Sequence, residues 1–321
     1  MEGNSTEQKE TTTCLPPTTS SIATYPSTSG SRLTGPAIEF HEECFQIGSR
    51  VVTIGKAEAM NPAWRATMED VSVIHAPGTW EAPDADLAFF GLYDGHGGRE
   101  IVNFLEHGLS FHVAQELAFE DDSDIQTRLQ RAFLMTDIHA RRAGVLTSGA
   151  TVATCLVKSQ SQTPNRVEIV AANAGDSRVV LFHEGVVTRL TEDHRASDLS
   201  EVARIEQAGG FLFRERVLGI LSLTRSIGDH LLKRFVIGHP SVMSATLDLS
   251  SNKENERTLL ILACDGVFDV LSDEQAVAVV RENASKGAGA ARCLVEEALK
   301  KGSTDNVSAI VIWLDNKDEK R

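Results

Sequence analysis

The sequence predicts an α+β fold built on antiparallel sheet, and three observations carry that prediction. Short apolar runs alternate with amphipathic stretches through the middle of the chain, with no internal repeat. Val167–Asn173 and Arg178–His183 are separated only by Ala174-Gly175-Asp176-Ser177. So short a link excludes a parallel crossover, so the two runs are expected to pair antiparallel and a doubly wound parallel sheet is disfavoured. The 321 residues, 41% of them hydrophobic, suffice for one large core or two small ones.

Residues 1–36 are rich in Thr, Ser, Pro and Gly with almost no large apolar side chain, so they cannot offset their own ordering entropy and are expected to form a disordered tail. Strands are predicted at Val71–Ala76 and Leu87–Tyr93, followed by helices at Arg99–His107 and Ile125–Arg142. Strands at Thr151–Lys158, Val167–Asn173 and Arg178–His183 lead to a helix at Leu199–Ala208. After the strand Thr258–Cys264, Ser272 caps a helix over Asp273–Asn283 whose first turn is acidic. Gly302 closes a last helix, Ala288–Lys300, before the strand Val307–Leu314. One domain over 37–316 is expected, with 317–321 a charged, fraying tail.

The formal net charge of −14, with no Lys/Arg-rich stripe, argues against a nucleic-acid partner. Cys14, Cys44, Cys155, Cys264 and Cys293 are odd in number and widely spaced, which fits free thiols in a reducing compartment. No apolar run is long enough to span a bilayer, the N-terminus lacks a signal-peptide pattern, and Glu2 stands where myristoylation needs glycine. A cytoplasmic or nuclear protein without a membrane partner is expected; nothing demands an oligomer, so a monomer is expected.

Chemistry concentrates at strand ends. Leu87–Leu92 runs into Tyr93-Asp94-Gly95-His96-Gly97-Gly98, Thr258–Cys264 into Asp265-Gly266, Asp305 directly precedes the last strand, and Asp176 sits in the tight link. Any one of these acids alone is explained by a turn. Four in similar places, with no Lys or Arg beside them, would repel one another unless cations neutralised them. Carboxylates without Cys or a His-x-x-x-His pair select Mg²⁺ or Mn²⁺ over zinc. Arg65, just before Glu69 and Asp70, reads alone as a surface ion pair; beside a hard-metal site it reads as a phosphate anchor.

Nine motifs occur in an order that resembles the metal-dependent protein phosphatases of the 2C type. They are Arg65-x-x-Met68-Glu69-Asp70, Asp94-Gly95-His96-Gly97-Gly98, Ser148-Gly149-Ala150-Thr151, Gly175-Asp176-Ser177-Arg178, Asp193-His194, Ala208-Gly209-Gly210, Arg225-Ser226-Ile227-Gly228-Asp229, Asp265-Gly266-Val267-Phe268-Asp269 and Thr304-Asp305-Asn306. The resemblance covers about Ile47 to Leu314 and implies a four-layer α-β-β-α sandwich of two antiparallel sheets flanked by helices. It implies hydrolysis of phosphoserine and phosphothreonine in protein substrates by a hydroxide bridging two Mn²⁺ or Mg²⁺ ions. Carried over by position, Asp94 would bridge the ions, Asp265 and Asp305 would complete one, and Glu69 with the Gly95 carbonyl would serve the other. Asp70 and Thr151 would hold waters, and Asp176, Asp265 and Asp269 would form a weaker third-metal site. Arg65 would hold the substrate phosphate and His96 would protonate the leaving oxygen, a role suited to a group that titrates near neutrality. The plainer alternative for His96 is a satisfied structural histidine.

The chain departs from the family pattern at Ala150 for Ser, Phe268 for Trp, Arg195-Ala196 for Lys-Pro and Leu218 for Asn, none of them a carried-over metal ligand. Those at 195, 196 and 218 fall in a segment that in the family includes a flap beside the site, so they bear on substrate preference. A catalytically silent scaffold would be signalled by loss of Asp94, Asp265 or Asp305, and all three are present. A member acting on another phosphorylated ligand stays open. Gly287-Ala288-Gly289 lacks the strand and third glycine of a dinucleotide fingerprint, His41-Glu42-Glu43-Cys44 lacks a second zinc histidine, and no Walker A lysine or Gly-x-Ser-x-Gly elbow occurs.

Overall fold

In a computed structural model, residues 36–160, 163–251 and 257–314 are described, so the expected tails at 1–36 and 317–321 lie outside them apart from Pro36. In chain order the elements are β1 (Glu39–Ile47), β2 (Arg50–Ala59), β3 (Asp70–His75), β4 (Ala88–His96), α1 (Glu100–Ala118), α2 (Ile125–Arg142), β5 (Gly149–Gln160), β6 (Thr163–Ala174), β7 (Arg178–His183), β8 (Val186–Arg189), α3 (Leu199–Gln207), β9 (Leu212–Phe213), β10 (Arg216–Val217), β11 (Ile227–Gly228), β12 (Ser241–Asp248), β13 (Leu259–Ala263), α4 (Asp265–Phe268), α5 (Asp273–Glu282), α6 (Ala290–Lys300) and β14 (Val307–Leu314).

Two antiparallel sheets result. The first has the order β1-β2-β14-β13-β7-β8, the second β12-β6-β5-β4-β3, with β11 added beside β5. Side-chain parity then sorts every strand onto two faces. Along β13, Leu260, Leu262 and the following Cys264 join Ile310 and Ile312 of β14, Phe90 and Leu92 of β4 and Cys155 and Val157 of β5 in a core between the sheets. Leu259 and Ile261 point the other way, with Trp313 and Phe182, onto Val277, Val280, Leu294 and Val295 of α5 and α6. On the outside of the second sheet, Val71, Phe89, Tyr93 and Val152 pack on Leu105, Leu109, Leu129 and Phe133 of α1 and α2. The four layers are therefore helix, sheet, sheet, helix, as the family resemblance implies.

One sequence-based expectation is overturned. β6 and β7 do not pair: β6 lies between β5 and β12 in the second sheet, while β7 lies beside β13 in the first. The four-residue link crosses from one sheet to the other, and each strand finds its antiparallel partners elsewhere. The short link does exclude a parallel crossover, but it does not require a hairpin.

Other differences have local causes. α1 runs to Ala118, well past His107, because Leu109, Val113 and Ala114 are buried against the second sheet and offset the helix cost of Gly108. The last helix starts at Ala290, since Gly287 takes a non-helical conformation at φ +56° inside the preceding 3₁₀ turn. The sequence did not reveal β1, β2, β8 or β12, and β1 is an edge strand whose Glu39, Phe40, His41, Glu42 and Glu43 are largely exposed. The N-cap predicted at Ser272 is present, and Gln275 reciprocates to make it a capping box, while Gly302 follows α6 at φ +91°. No helix among the described residues is long and apolar enough to cross a membrane.

Candidate active site

The inter-sheet layer ends in polar groups, and strand register decides which. Asp70 of β3 stands opposite Asp94 of β4, and Asp94 stands opposite Thr151 of β5. Asp94 follows Phe90 and Leu92 on the inward parity of β4; Thr151 precedes Ala153 and Cys155 on that of β5. From the first sheet, Cys264 closes the inward row of β13 and Ser308 opens that of β14. Asp70, Asp94 and Cys264 consequently present ligand atoms within 4.8 Å of one another. Asp265 follows one residue after Cys264, and Asp305 lies two residues before β14.

Burial, and then mutual repulsion, dominate the electrostatics. Asp94 is pushed well above the carboxylate range by loss of solvent, then by Asp265, Asp70, Asp176 and Asp305. Asp265 rises to about 8, from burial first and then Asp176, Asp305, Asp269 and Asp70. Asp70 rises to about 7, also from burial, with Ser308 and Cys264 opposing. Although those two groups stand close, neither Asp70 oxygen has a partner in full hydrogen-bond geometry, and both are shut off from solvent. An ionised carboxylate taken out of water costs roughly several kcal/mol. One hydrogen bond contributes only about 1 kcal/mol, so the cluster calls for cations.

Hard divalent ions fit this donor set. The orphaned oxygens of Asp70 aim into the same space as Asp94, and the acids supply oxygen ligands. The sequence had suggested a cluster without cysteine, and Cys264 corrects that. Its thiol lies in the cluster but is held well above its usual value by burial and by Asp70, Asp94 and Asp265. It therefore stays protonated, accepts the Ser308 N–H at 3.2 Å, and does not turn the site toward soft metals.

The loop from Met60 to Glu69 is pinned over this end. Asn306 donates to the carbonyls of Met60 at 2.8 Å and Thr67 at 3.0 Å and accepts the Glu69 N–H at 2.8 Å, while Asn61 donates to the Ser303 carbonyl at 2.8 Å. Arg65 is thereby held beside the cluster, where its exposed guanidinium pairs with Asp305 rather than with Glu69 or Asp70. The Glu69 carboxylate accepts from the Thr67 hydroxyl at 2.9 Å and, at 3.4 Å, from the Gly98 N–H. Asn306 had been noted only as part of a motif, and its bracing role needs three partners that sequence does not place together.

Gly95 must be glycine here: a Cβ would stand 2.6 Å from the Glu69 carbonyl oxygen, to which Gly95 donates its N–H. His96 is held by Asp229, whose two oxygens lie 3.0 and 2.9 Å from Nε2. Burial would lift the Asp229 carboxyl, but His96, the Ser226 hydroxyl and Lys233 more than offset it and hold it below the ordinary value. Across the register from His96, Gly149 leaves room for the pair, since a Cβ there would fall 2.0 Å from Asp229 Oδ2. Thr151 is buried with its hydroxyl 2.5 Å from that of Ser177.

The remaining acids carry their own cation. Arg195 Nε lies 2.8 Å from Asp176 Oδ2, and its Nη2 donates to Asp269 Oδ1 at 2.7 Å. The guanidinium thus occupies the space between two of the three acids expected to bind a third ion.

A family model described as protein phosphatase 2C matches residues 55–307. The chain belongs to the protein phosphatase 2C family. It is 35% identical over 271 residues to protein phosphatase 2C homolog 1 of Saccharomyces cerevisiae, covering 81% of this chain and 93% of that protein. It is 34% identical over 264 residues to protein phosphatase 2C homolog 1 of Schizosaccharomyces pombe, covering 81% and 72%. In fold it is similar to a phosphatase from Toxoplasma gondii, with a TM-score of 0.71 at 22% identity over 89% of this chain and 98% of that one. As a member of this metal-dependent family the chain is a protein serine/threonine phosphatase.

Proposed function

We propose that this phosphatase 2C hydrolyses phosphoserine and phosphothreonine with two Mn²⁺ or Mg²⁺ ions held at the end of the inter-sheet layer. The observation that carries the proposal is the Asp70 carboxylate, buried, unpartnered and aimed at the space it shares with Asp94. Asp94, Asp265 and Asp305, together with Glu69 and the Gly95 carbonyl, would hold the two ions, with Asp94 shared between them. Divalent ions bound there supply a water of lowered pKa for in-line attack on phosphorus and neutralise the phosphoryl oxygens.

The chain's own groups do the rest. Asp70 and Thr151 orient water within the layer. Arg65 exchanges its contact with Asp305 for a bidentate grip on the substrate phosphate, which the exposed loop position allows. His96 delivers a proton to the departing serine or threonine oxygen, an alkoxide that leaves poorly without one. Asp229 fixes the imidazole for that transfer. The same proposal takes the enzyme to be a monomer of the cytoplasm or nucleus.

The test is hydrolysis of p-nitrophenyl phosphate and of a phosphothreonine peptide by the full chain, with EDTA and with added Mn²⁺. Turnover of both substrates that requires Mn²⁺ is expected. Turnover surviving EDTA, or none with metal, would overturn the proposal.

A further inference from the structure

Two of the three acids expected to bind a third ion, Asp176 and Asp269, are already paired with a cation. Asp176 is buried and pairs with Arg195 Nε at 2.8 Å; Asp269, half exposed, accepts from Nη2 of the same guanidinium at 2.7 Å. An ion reaching both carboxylates would have to displace that group. The backbone around Arg195 is tied on each side: His194 N–H donates to the Gly175 carbonyl at 3.0 Å, Ala196 N–H to Ser222 at 3.0 Å, and Asp198 N–H to the Arg195 carbonyl at 3.0 Å. Gly175 directly precedes Asp176, so the segment that carries the guanidinium is fastened through the main chain to the one that carries the carboxylate. The position is also where this sequence departs from the family's usual lysine. A lysine ammonium is a compact point charge on a flexible stem, whereas a guanidinium reaches two acids at once through a rigid fork and does not deprotonate.

We infer that Arg195 is a resident cation that takes the place of the third metal ion in this enzyme. The inference rests on the two-metal proposal for what the neighbouring acids do, and it concerns only Asp176 and Asp269. Its consequence is a phosphatase that saturates without a third ion and does not respond to the concentration range in which such an ion would bind.

The experiment counts Mn²⁺ bound per full-length chain, from loss of the free-ion EPR signal, for the wild type, Arg195→Gln and Arg195→Ala. Each variant is expected to bind one ion more than the wild type, and adding Asp269→Asn to either is expected to remove the extra ion. Equal counts in wild type and variants would overturn the inference, as would three ions on the wild type alone, a result that needs no variant to fold. The absolute count tests the other proposal separately. A wild type holding fewer than two ions defeats the two-metal site, while the difference between wild type and variants still decides the role of Arg195.

Discussion

Burial raises the proton affinity of both Asp94 and Asp265, and neighbouring acids raise it further, Asp265 acting on Asp94 and Asp176 on Asp265, which marks each as a group whose charge the site needs and the metal-free protein resists. Asp265→Asn keeps the shape and removes the charge, so turnover should fall by ~100-fold or more with poor rescue by excess Mn²⁺; near-normal rates in a steady-state assay would refute its assignment as a ligand. His96→Ala separates chemistry from binding. The phosphothreonine peptide should lose roughly 10²-fold or more, while p-nitrophenyl phosphate, whose leaving group needs little protonation, should be largely spared. Equal losses on both substrates would return His96 to a structural role. Asp94, Asp265 and His96 were legible because each sits beside a glycine at the end of an apolar run. Cys264, Asn306, Asp229 and Arg195 were not, since their partners at Asp70, Glu69, His96 and Asp176 are brought close only by strand register and by crossing between sheets.

Strands were read from alternation and buried length, which finds strands buried along their whole length and misses most of those that are not, including β2, which lies inside the first sheet. β13 and β14 are buried along their whole length and were found within a residue or two, whereas β1 and β12 expose most of one face at sheet edges and left little apolar pattern to read. Between Asp193 and Asp229, the segment related to the family's flap, an even smaller element has its own signature. β9 and β10 pair Phe213 with Arg216, so Arg214 and Glu215 form a two-residue turn, both with φ near +50° (+50° and +56°). That is a type I′ turn built from two residues that disfavour it, and both are exposed. Arg214→Asn with Glu215→Gly should therefore stabilise the protein by about 1 kcal/mol, seen as a rise of ~2 °C in the melting temperature. A fall would mean that the charged side chains make contacts the turn depends on. At the start of α5 the sign reverses: Ser272→Ala removes the capping box and should cost about 1 kcal/mol by the same measurement.

For the molecule as a whole, a formal charge of −14 with its most crowded carboxylates inside makes stability depend on pH and metal together. Several groups work in opposite directions: from about pH 4 to 6.5 the window of His194 overlaps that of the raised carboxylates, and above it only the carboxylates remain. Glu201 lies at about 2 despite its burial, because Arg225 and Arg204 hold it down, so what it contributes is lost as pH falls from about 4.5 toward 2. His194 is lowered to about 4 by burial, so it binds fewer protons folded than unfolded, and its own contribution to stability rises with pH from about 4 to about 6.5. Above that point His194 no longer contributes. Asp70 at about 7 and Asp265 at about 8 still hold protons that their unfolded counterparts, near 4, have released. The folded state then binds more protons than the unfolded one, so the slope is negative: stability falls as pH climbs from about 6.5 to about 8, at up to about 1.4 kcal/mol per pH unit for each proton of difference. Divalent ions favour the ionised carboxylates, so they should abolish that slope. In EDTA the melting temperature is expected to decline across this window, and with Mn²⁺ it should stay level, so the stabilisation by metal grows with pH. Asp70→Asn should flatten part of the decline in EDTA without needing any metal. A melting temperature in EDTA that does not change from pH 6.5 to 8 would show that the carboxylates at the sheet ends are already ionised without ions, and the case for metals drawn from their burial would fall with it.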